Sequence, residues 1–502
     1  MKRISSRIGM AWLLFACPAA IAQTQPGLAQ SPRATLLSLY AKRAATLVAP
    51  QDTAQANPHS GHHPDAQAGK AEAISPSQPG GPALRLEDLE QMALASNPTL
   101  VQAAAEIRAA ESRKRQAGLY PNPTVGYTGS EIRGGSFRGG EQGFFVQQNI
   151  VLGGKLGRSK NIFEQERKEA ETEAEEQKLR VLNGVQILFY QALAAQKMVD
   201  LRQQMQKLAQ DAVETAHQLA NVGQADQPDV LQAEVEADQA DVALDTAKQA
   251  QLRVWKELAA VVGKPELPLA RLDGNLEDLP SVNTDELLQT ILRESPSVKI
   301  AALNGKRAEA ELARARREPI PDLQLRAGLQ QDRELLETGG KPVGVIGFAE
   351  VGVQIPVFNR NQGSVQAARA DLERAQQETR RTELVLRQRS AAVFERYQMA
   401  RATAEKYKSQ TIPRAERAYK LYMSKYYEMA AAYPQVLISQ RTLFQLQADY
   451  VSALSNLWTS YVALKGFLLT DGLEAPATPS EAQRPVREIN MPASMPPNPS
   501  PE

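Results

Sequence analysis

The feature that most constrains this chain is that its pattern is written twice. NPTL at 97–100 is followed by YPNPTVGY at 120–127, and SPSV at 295–298 is followed by PIPDLQLR at 319–326. Pro98 and Pro296, Pro121 and Pro319, and Pro123 and Pro321 each lie 198 residues apart. Further along, the offset becomes 206 and holds for Gln148/Gln354, Gly157/Gly363, Pro228/Pro434, Leu231/Leu437, Trp255/Tyr461 and Leu258/Leu464. Chance matches do not keep register over such a span, so the chain contains duplicated structure, in copies far larger than a solenoid repeat. Two similar halves must build the functional object together.

Each copy is expected to run short helix, proline turn, strand, glycine-rich loop, strand, very long helix, tight turn, second long helix. Helical periodicity covers about 99–118 and stops at Pro121 and Pro123. From Leu156 to Val222 there is no proline, and Leu179, Leu182, Val185, Leu188 and Leu193 recur at helical spacing. A helix of that length is a rod of roughly 100 Å, and a rod so long is stable only when packed along its length in a bundle or coiled coil. Gly223 ends it, Pro228 opens a second helix to about Val262, and the second copy repeats the pair at about 363–426 and 434–470.

The strands are predicted at 124–132, 144–151, 323–330 and 349–355. Leu323 to Gln330 alternates apolar residues with polar ones or glycine, as does Ala349 to Ile355, whereas Gln147-Gln148-Asn149 blurs the two faces of its strand. Such two-faced strands suit a wall between lipid and water, or a sheet covered on one side by helices. Four strands cannot close a barrel, and lipid tolerates no open sheet edge. Three chains would supply twelve strands, closed by cyclic symmetry, with the long helices continuing the tube.

The ends of the chain are different in kind. Lys2, Arg3 and Arg7, the apolar stretch from Ile8 to Ala16, and Ala20-Ile21-Ala22 form an export signal over 1–22. Leu14-Phe15-Ala16-Cys17 resembles a lipoprotein box, but Phe15 is bulky for its place and Pro18 follows; cleavage after Ala22 would remove Cys17, the only cysteine. Residues 23–83 and 475–502 have the composition of disordered segments, leaving copies at 84–276 and 277–474. No later run of 18 apolar residues provides a membrane helix, a test to which a β-barrel is blind. With a net charge of +1 and no basic stripe, the chain is not expected to bind nucleic acid.

On these residues the chain resembles the TolC family of outer-membrane efflux factors over about 84–472. The Asn-Pro or Ser-Pro near the start of each copy, the prolines before each first strand and GQADQPDVLQAE at 223–234 carry the resemblance. IVLGGKLGRS at 150–159 and IPVFNRNQGSVQAARADL at 355–372 resemble the heavy-metal branch, the cobalt–zinc–cadmium type subunits. The resemblance implies a mainly α fold with a small β part. Duplicated helical hairpins would form a periplasmic α-barrel, and four strands per chain would enter a twelve-stranded trimeric transmembrane barrel. It also implies a homotrimer in outer-membrane lipid, reaching into the periplasm of a Gram-negative cell. Its partners would be a periplasmic adaptor and an inner-membrane proton-driven pump of the resistance-nodulation-division class. Divalent metal cations are the first reading of the cargo, copper or silver and organic drugs the alternatives. A periplasmic adaptor or structural coiled coil is the competing class, disfavoured because an adaptor would have one hairpin in β-rich domains.

Several residues invite a role. Gly153 and Gly154 in the first copy, and Pro356, Asn359, Asn361 and Gly363 in the second, mark the passage from strand to helix. There Asn359 or Asn361 is expected to cap the helix and Gly363 to allow close approach. The turns at 222–229 and 427–434 are expected at the periplasmic mouth, opposite external loops at 133–143 and 332–344. Gly223 makes the first turn. Asp226 and Asp229 either ring the mouth with negative charge or simply cap and polarise the following helix. Tyr426, Tyr427 and Tyr433 either close the mouth, contact the adaptor, or pack. His59, His62 and His63 are candidates for a divalent cation in a floppy segment, and His217 reads as structural. No catalytic constellation, HExxH motif or cofactor signature occurs, and the many carboxylates read as helix-surface charges with i, i+4 partners. The chain is therefore not expected to be an enzyme or to hold a cofactor.

Overall fold

The computed structural model describes residues 83–131, 140–223, 225–335, 342–428, 430 and 433–476. The cluster of His59, His62 and His63 lies outside them, as do parts of both strand-connecting loops. Each copy opens with two short helices instead of one: α1 (Leu86–Ser96) and α2 (Pro98–Ala117), and later α5 (Thr284–Glu294) and α6 (Pro296–Ala315). The break is the proline. It has no N–H and forces the preceding residue out of the helical region, so Asn97 and Ser295 take ψ of 122° and 130°.

The long helices are α3 (Lys155–Asn221) and α4 (Gln227–Val262) in the first copy. At 67 residues, α3 matches its expected span. In the second copy the long helix is not continuous. It runs as α7 (Gln362–Lys406), a π turn at Tyr407–Thr411 and α8 (Ile412–Tyr427) before α9 (Tyr433–Lys465). Pro413, at which the helical period continues without a break, lacks the N–H that would bond the Ser409 carbonyl; the ladder widens instead, with the Ile412 N–H on the Tyr407 carbonyl. The last helix also stops short of 470, because Phe467 and Leu468 adopt φ of 57° and 64°.

The main apolar core lies where the middle of α3 meets the end of α4. Leu89, Val181, Val185, Phe189, Trp255, Leu258, Val262 and Leu454 are buried together. The connector between copies is strapped onto it. The Trp255 indole donates to the Leu267 carbonyl at 3.0 Å, Trp458 to Leu276 at 2.9 Å, and the Tyr397 hydroxyl to Pro280 at 2.6 Å. Each of these buried or half-buried aromatics thus spends its one polar atom on connector backbone.

The strands β1 (Thr124–Ser130), β2 (Glu141–Ile150), β3 (Leu323–Leu335) and β4 (Pro342–Val353) form one antiparallel sheet in chain order. β1 and β4 are therefore its open edges. β4 begins well before the expected 349 and ends before 355. Its early half alternates through Val343, Val345 and Gly347, where the small residue hides the apolar face. Register assigns the two faces. Val125, Tyr127, Phe144, Val146, Leu329, Val345, Val351 and Val353 stand on one face and are all exposed. Thr124, Gln147, Arg326 and Glu350 share a rung on the other.

The register also resolves the blurred strand. Gln148 falls on the apolar side, where its Nε2 donates to the Pro121 carbonyl at 2.9 Å. Phe145 and Phe348 stand on the polar side because they lie over Gly126 and Gly328, where a Cβ would fall 2.6 Å from ring carbons. Arg326 sits between the rings, 4.1 Å from the Phe145 centroid and 5.6 Å from that of Phe348, a cation–π arrangement that accounts for aromatics on the wetter face. Among the described residues, no helix is long and apolar enough to cross a membrane.

Candidate functional site

The places where this architecture can act are the two-faced sheet, the strand-to-helix crossings and the hairpin tips. At the first crossing Gly153 and Gly154 have φ of 72° and 68°, and Gly154 is the N-cap of α3. Neither asparagine caps α7 in the expected way. Asn361 occupies the N-cap position with φ 59°, but its side chain donates to the Ala315 carbonyl at 2.9 Å. Asn359 accepts from the Asn361 N–H at 3.1 Å and so shapes the turn before the helix. Close approach is not the reason for Gly363, since nothing lies within 4 Å of where its Cβ would stand. Pro356 lies in the segment between β4 and α7.

At the first hairpin tip Gly223 takes φ 74°. Asp226 is the N-cap of α4 and forms a capping box with Asp229, whose Oδ2 accepts from the Asp226 N–H at 3.4 Å. The capping reading is thus realised in the geometry, and both carboxylates remain exposed. Asp226→Ala is expected to cost about 1 kcal/mol and to speed amide exchange in the first turn of α4. Unchanged exchange there would show that the box does not hold the turn.

The second tip lies beside the first, as the Arg441–Glu236 ion pair at 2.7 Å between α9 and α4 shows. Tyr426 and Tyr433 pack with ring centroids 5.4 Å apart. Burial, with Tyr426 and Glu236 nearby, pushes the Tyr433 hydroxyl up to about 12, so it stays protonated. The side chain of Tyr427 is outside the described residues. His217 pairs with Glu234 at 3.3 Å across α3 and α4. Among the described residues, no group of three or more His, Cys, Asp or Glu is placed to hold a metal ion.

One cluster overturns a sequence expectation. The carboxylates Glu166, Glu169 and Glu173 are buried between α3 and its neighbours, not spread on a helix surface. With Glu176 they are spaced three, four and three residues apart, the spacing of the stripe a helix normally fills with apolar side chains. That spacing was the signal available in the sequence. Arg113 of α2 binds Glu106 at 2.7 Å and also Glu166. Arg307 of α6 stands 3.6 Å from Glu169. Among the described residues, no arginine forms an ion pair with Glu173. Burial, reinforced by the charges of Glu169, Glu106 and Glu176, pushes its carboxyl up to about 8, opposed only in part by Arg307. Burial likewise raises Glu169 and Glu311. By contrast, hydrogen bonds from Arg167 and Lys114 hold Glu164 down to about 2.

This geometry has known counterparts. The profile of the family described as "Outer membrane efflux protein" matches residues 89–264 and 287–468, one segment in each copy. The chain belongs to the outer membrane efflux protein family. The chain is 28% identical over 395 residues to the cobalt-zinc-cadmium resistance protein CzcC of Cupriavidus metallidurans, with 79% of this chain and 92% of that protein covered. Its fold is similar to CusC, whose crystal structures concern folding and transmembrane channel formation, with a TM-score of 0.64 at 16% identity over 76% of this chain and 91% of that one. It is similar as well to the outer membrane protein VceC of Vibrio cholerae, with a TM-score of 0.62 at 19% identity over 77% and 96%. The chain is accordingly a transport protein of the efflux class and not an enzyme, built on a mainly α fold with four strands.

Proposed function

We propose that three copies of this chain assemble into a channel-tunnel that carries divalent metal cations across the outer membrane. The observation that carries the assembly is the sheet: four strands with two open edges and one exposed apolar face. Such a sheet is unstable alone in lipid and closes only by pairing with further copies. Its polar face, with Arg326, Glu350 and Gln147, would line the lumen. The hairpins would continue the tube into the periplasm. There the tips around Gly223, Asp226, Asp229 and Tyr433 would form the mouth and meet a periplasmic adaptor, which links the tube to an inner-membrane proton-driven pump. The chain has no nucleotide or redox site of its own in its sequence, so energy would come from that pump.

Metal cargo is supported by the similarity to CzcC over most of both chains. His59, His62 and His63 would collect cations on the periplasmic side. Deleting the chain from its host is expected to sensitise cells to zinc, cadmium, cobalt or nickel salts while tolerance to hydrophobic antibiotics stays normal. Sensitivity to antibiotics with normal metal tolerance would refute the metal cargo and leave the channel reading standing.

A further inference from the structure

The two strand-to-helix crossings differ in a way the duplication makes informative. The first, between β2 and α3, is packed against the start of β3. Gly153 lies on Ile320, where a Cβ would fall 2.8 Å from the side chain. The Asp322 carboxylate accepts from the Leu152 N–H and from Lys155 Nζ, each at 3.0 Å, and Lys155 is buried. The end of one strand is thereby locked to the start of the next across an internal seam.

The second crossing, between β4 and α7, is longer, 354–361 against 151–154. It has no following strand to lock onto, because β4 is an edge. Its three large apolar side chains stand in the open: Ile355 is 74%, Val357 58% and Phe358 92% exposed. At the opposite edge the start of β1 is equally bare, with Leu119 60% and Tyr120 62% exposed. Both features lie at the helical end of the sheet. Thr124 and Glu350 share a rung through Gln147 and Arg326; Leu119 and Tyr120 precede that rung, and Ile355 to Phe358 follow it.

We infer that the β4–α7 crossing of one copy docks onto the start of β1 in the next, with Ile355, Val357 and Phe358 covering Leu119 and Tyr120. The occupant is a second copy of this chain because the internal seam already shows what a crossing does when a strand start lies beside it. Joining β4 to β1 of a neighbour recreates that neighbourhood. The contact differs in chemistry from its template. The internal lock is a half-buried ion pair, whereas this one is apolar and acts only when two copies meet.

This inference rests on the assembly of several copies proposed above, and its test separates the two. Cys17 is the only cysteine, and with Cys17→Ala in the background the introduced cysteines report cleanly. The full chain carrying Phe358→Cys with either Leu119→Cys or Tyr120→Cys is oxidised in isolated membranes, and the mass of the detergent-extracted complex is measured separately. The expected result is a covalent trimer on non-reducing gels for at least one pair and none for any single variant. A three-copy mass with no intermolecular disulfide for either pair would overturn the lock and leave the assembly intact. A one-copy mass would overturn both. Strong quenching of a bimane on Phe358→Cys by brominated phospholipid would also overturn the lock, by placing the crossing against lipid.

Discussion

At pH 9 the Glu173→Gln chain is expected to melt several degrees above the parent, and at pH 4 the two are expected to melt together. Glu173 is 8% exposed, and its carboxyl is pushed up to about 8 by burial first and then by Glu169, Glu106 and Glu176. From α2, Glu106 and Arg113 face this region; from α3, Glu166, Glu169 and Glu176; and from α6, Arg307. The folded chain holds the proton more tightly than the unfolded chain, whose glutamates titrate near 4.5. Between those values only the folded state binds the proton, so stability falls as pH rises and levels off above about 8. Every tenfold difference in proton affinity between the two states is worth about 1.4 kcal/mol, so the full effect is a few kcal/mol. Glutamine keeps the shape and removes the charge. Parallel melting curves for parent and variant from pH 4 to 9 would show that Glu173 is solvated in the assembled protein.

Asn97→Ala is expected to cost about 3 kcal/mol and to lower the unfolding midpoint by roughly 5 °C. Asn97 is 1% exposed, and its two ends serve different elements. Oδ1 accepts from the Thr99 N–H at 2.9 Å and from the Thr99 hydroxyl at 2.7 Å, capping α2. Nδ2 donates to the Val261 carbonyl at 2.7 Å, at the end of α4, and to Gly472 at 3.4 Å in the closing segment. Removing the amide leaves buried carbonyls and a helix N–H unpaired together. Asn97→Asp keeps the cap but sets a buried carboxylate oxygen against the Val261 and Gly472 carbonyls, so its midpoint should fall at least as far as that of Asn97→Ala at neutral pH and recover in acid. If Asn97→Ala melted with the parent, water would have to replace both contacts. The second copy offers a comparison within the chain: Ser295 holds the same place fully buried, with its hydroxyl unpaired.

Much of this fold could be read from residues alone, for definite reasons. The end of α3 and the start of α4 were legible because a helix stops where glycine adopts a left-handed turn, as Gly223 does, and starts where proline presets the backbone, as Pro228 does. The start of β4 was hidden because Gly347 carries no apolar surface while Ile346 and Phe348 put apolar side chains on the other face, which breaks the alternation ahead of Ala349. The π turn was hidden because a single proline inside a strong helical period reads as tolerable until the missing N–H has to be accommodated. The buried glutamates were hidden for a deeper reason. Periodicity treats charge as a sign of solvent, and α3 places carboxylates on its inner stripe, where Arg113 and Arg307 from other elements meet them. Neither arginine is near them in sequence.

The π turn at Tyr407–Thr411 makes the two copies mechanically unequal. In the first copy a 67-residue helix carries an unbroken hydrogen-bond ladder, and a rod of that kind resists bending along its whole length. In the second, the ladder is rewired over five residues just ahead of Pro413. Bending stiffness is lowest there, so a lateral load on the hairpin tip concentrates its curvature at that point. One copy behaves as a strut and the other as a jointed arm. In the assembly proposed above each chain would bring one strut and one jointed arm, and the duplication supplies both from one plan.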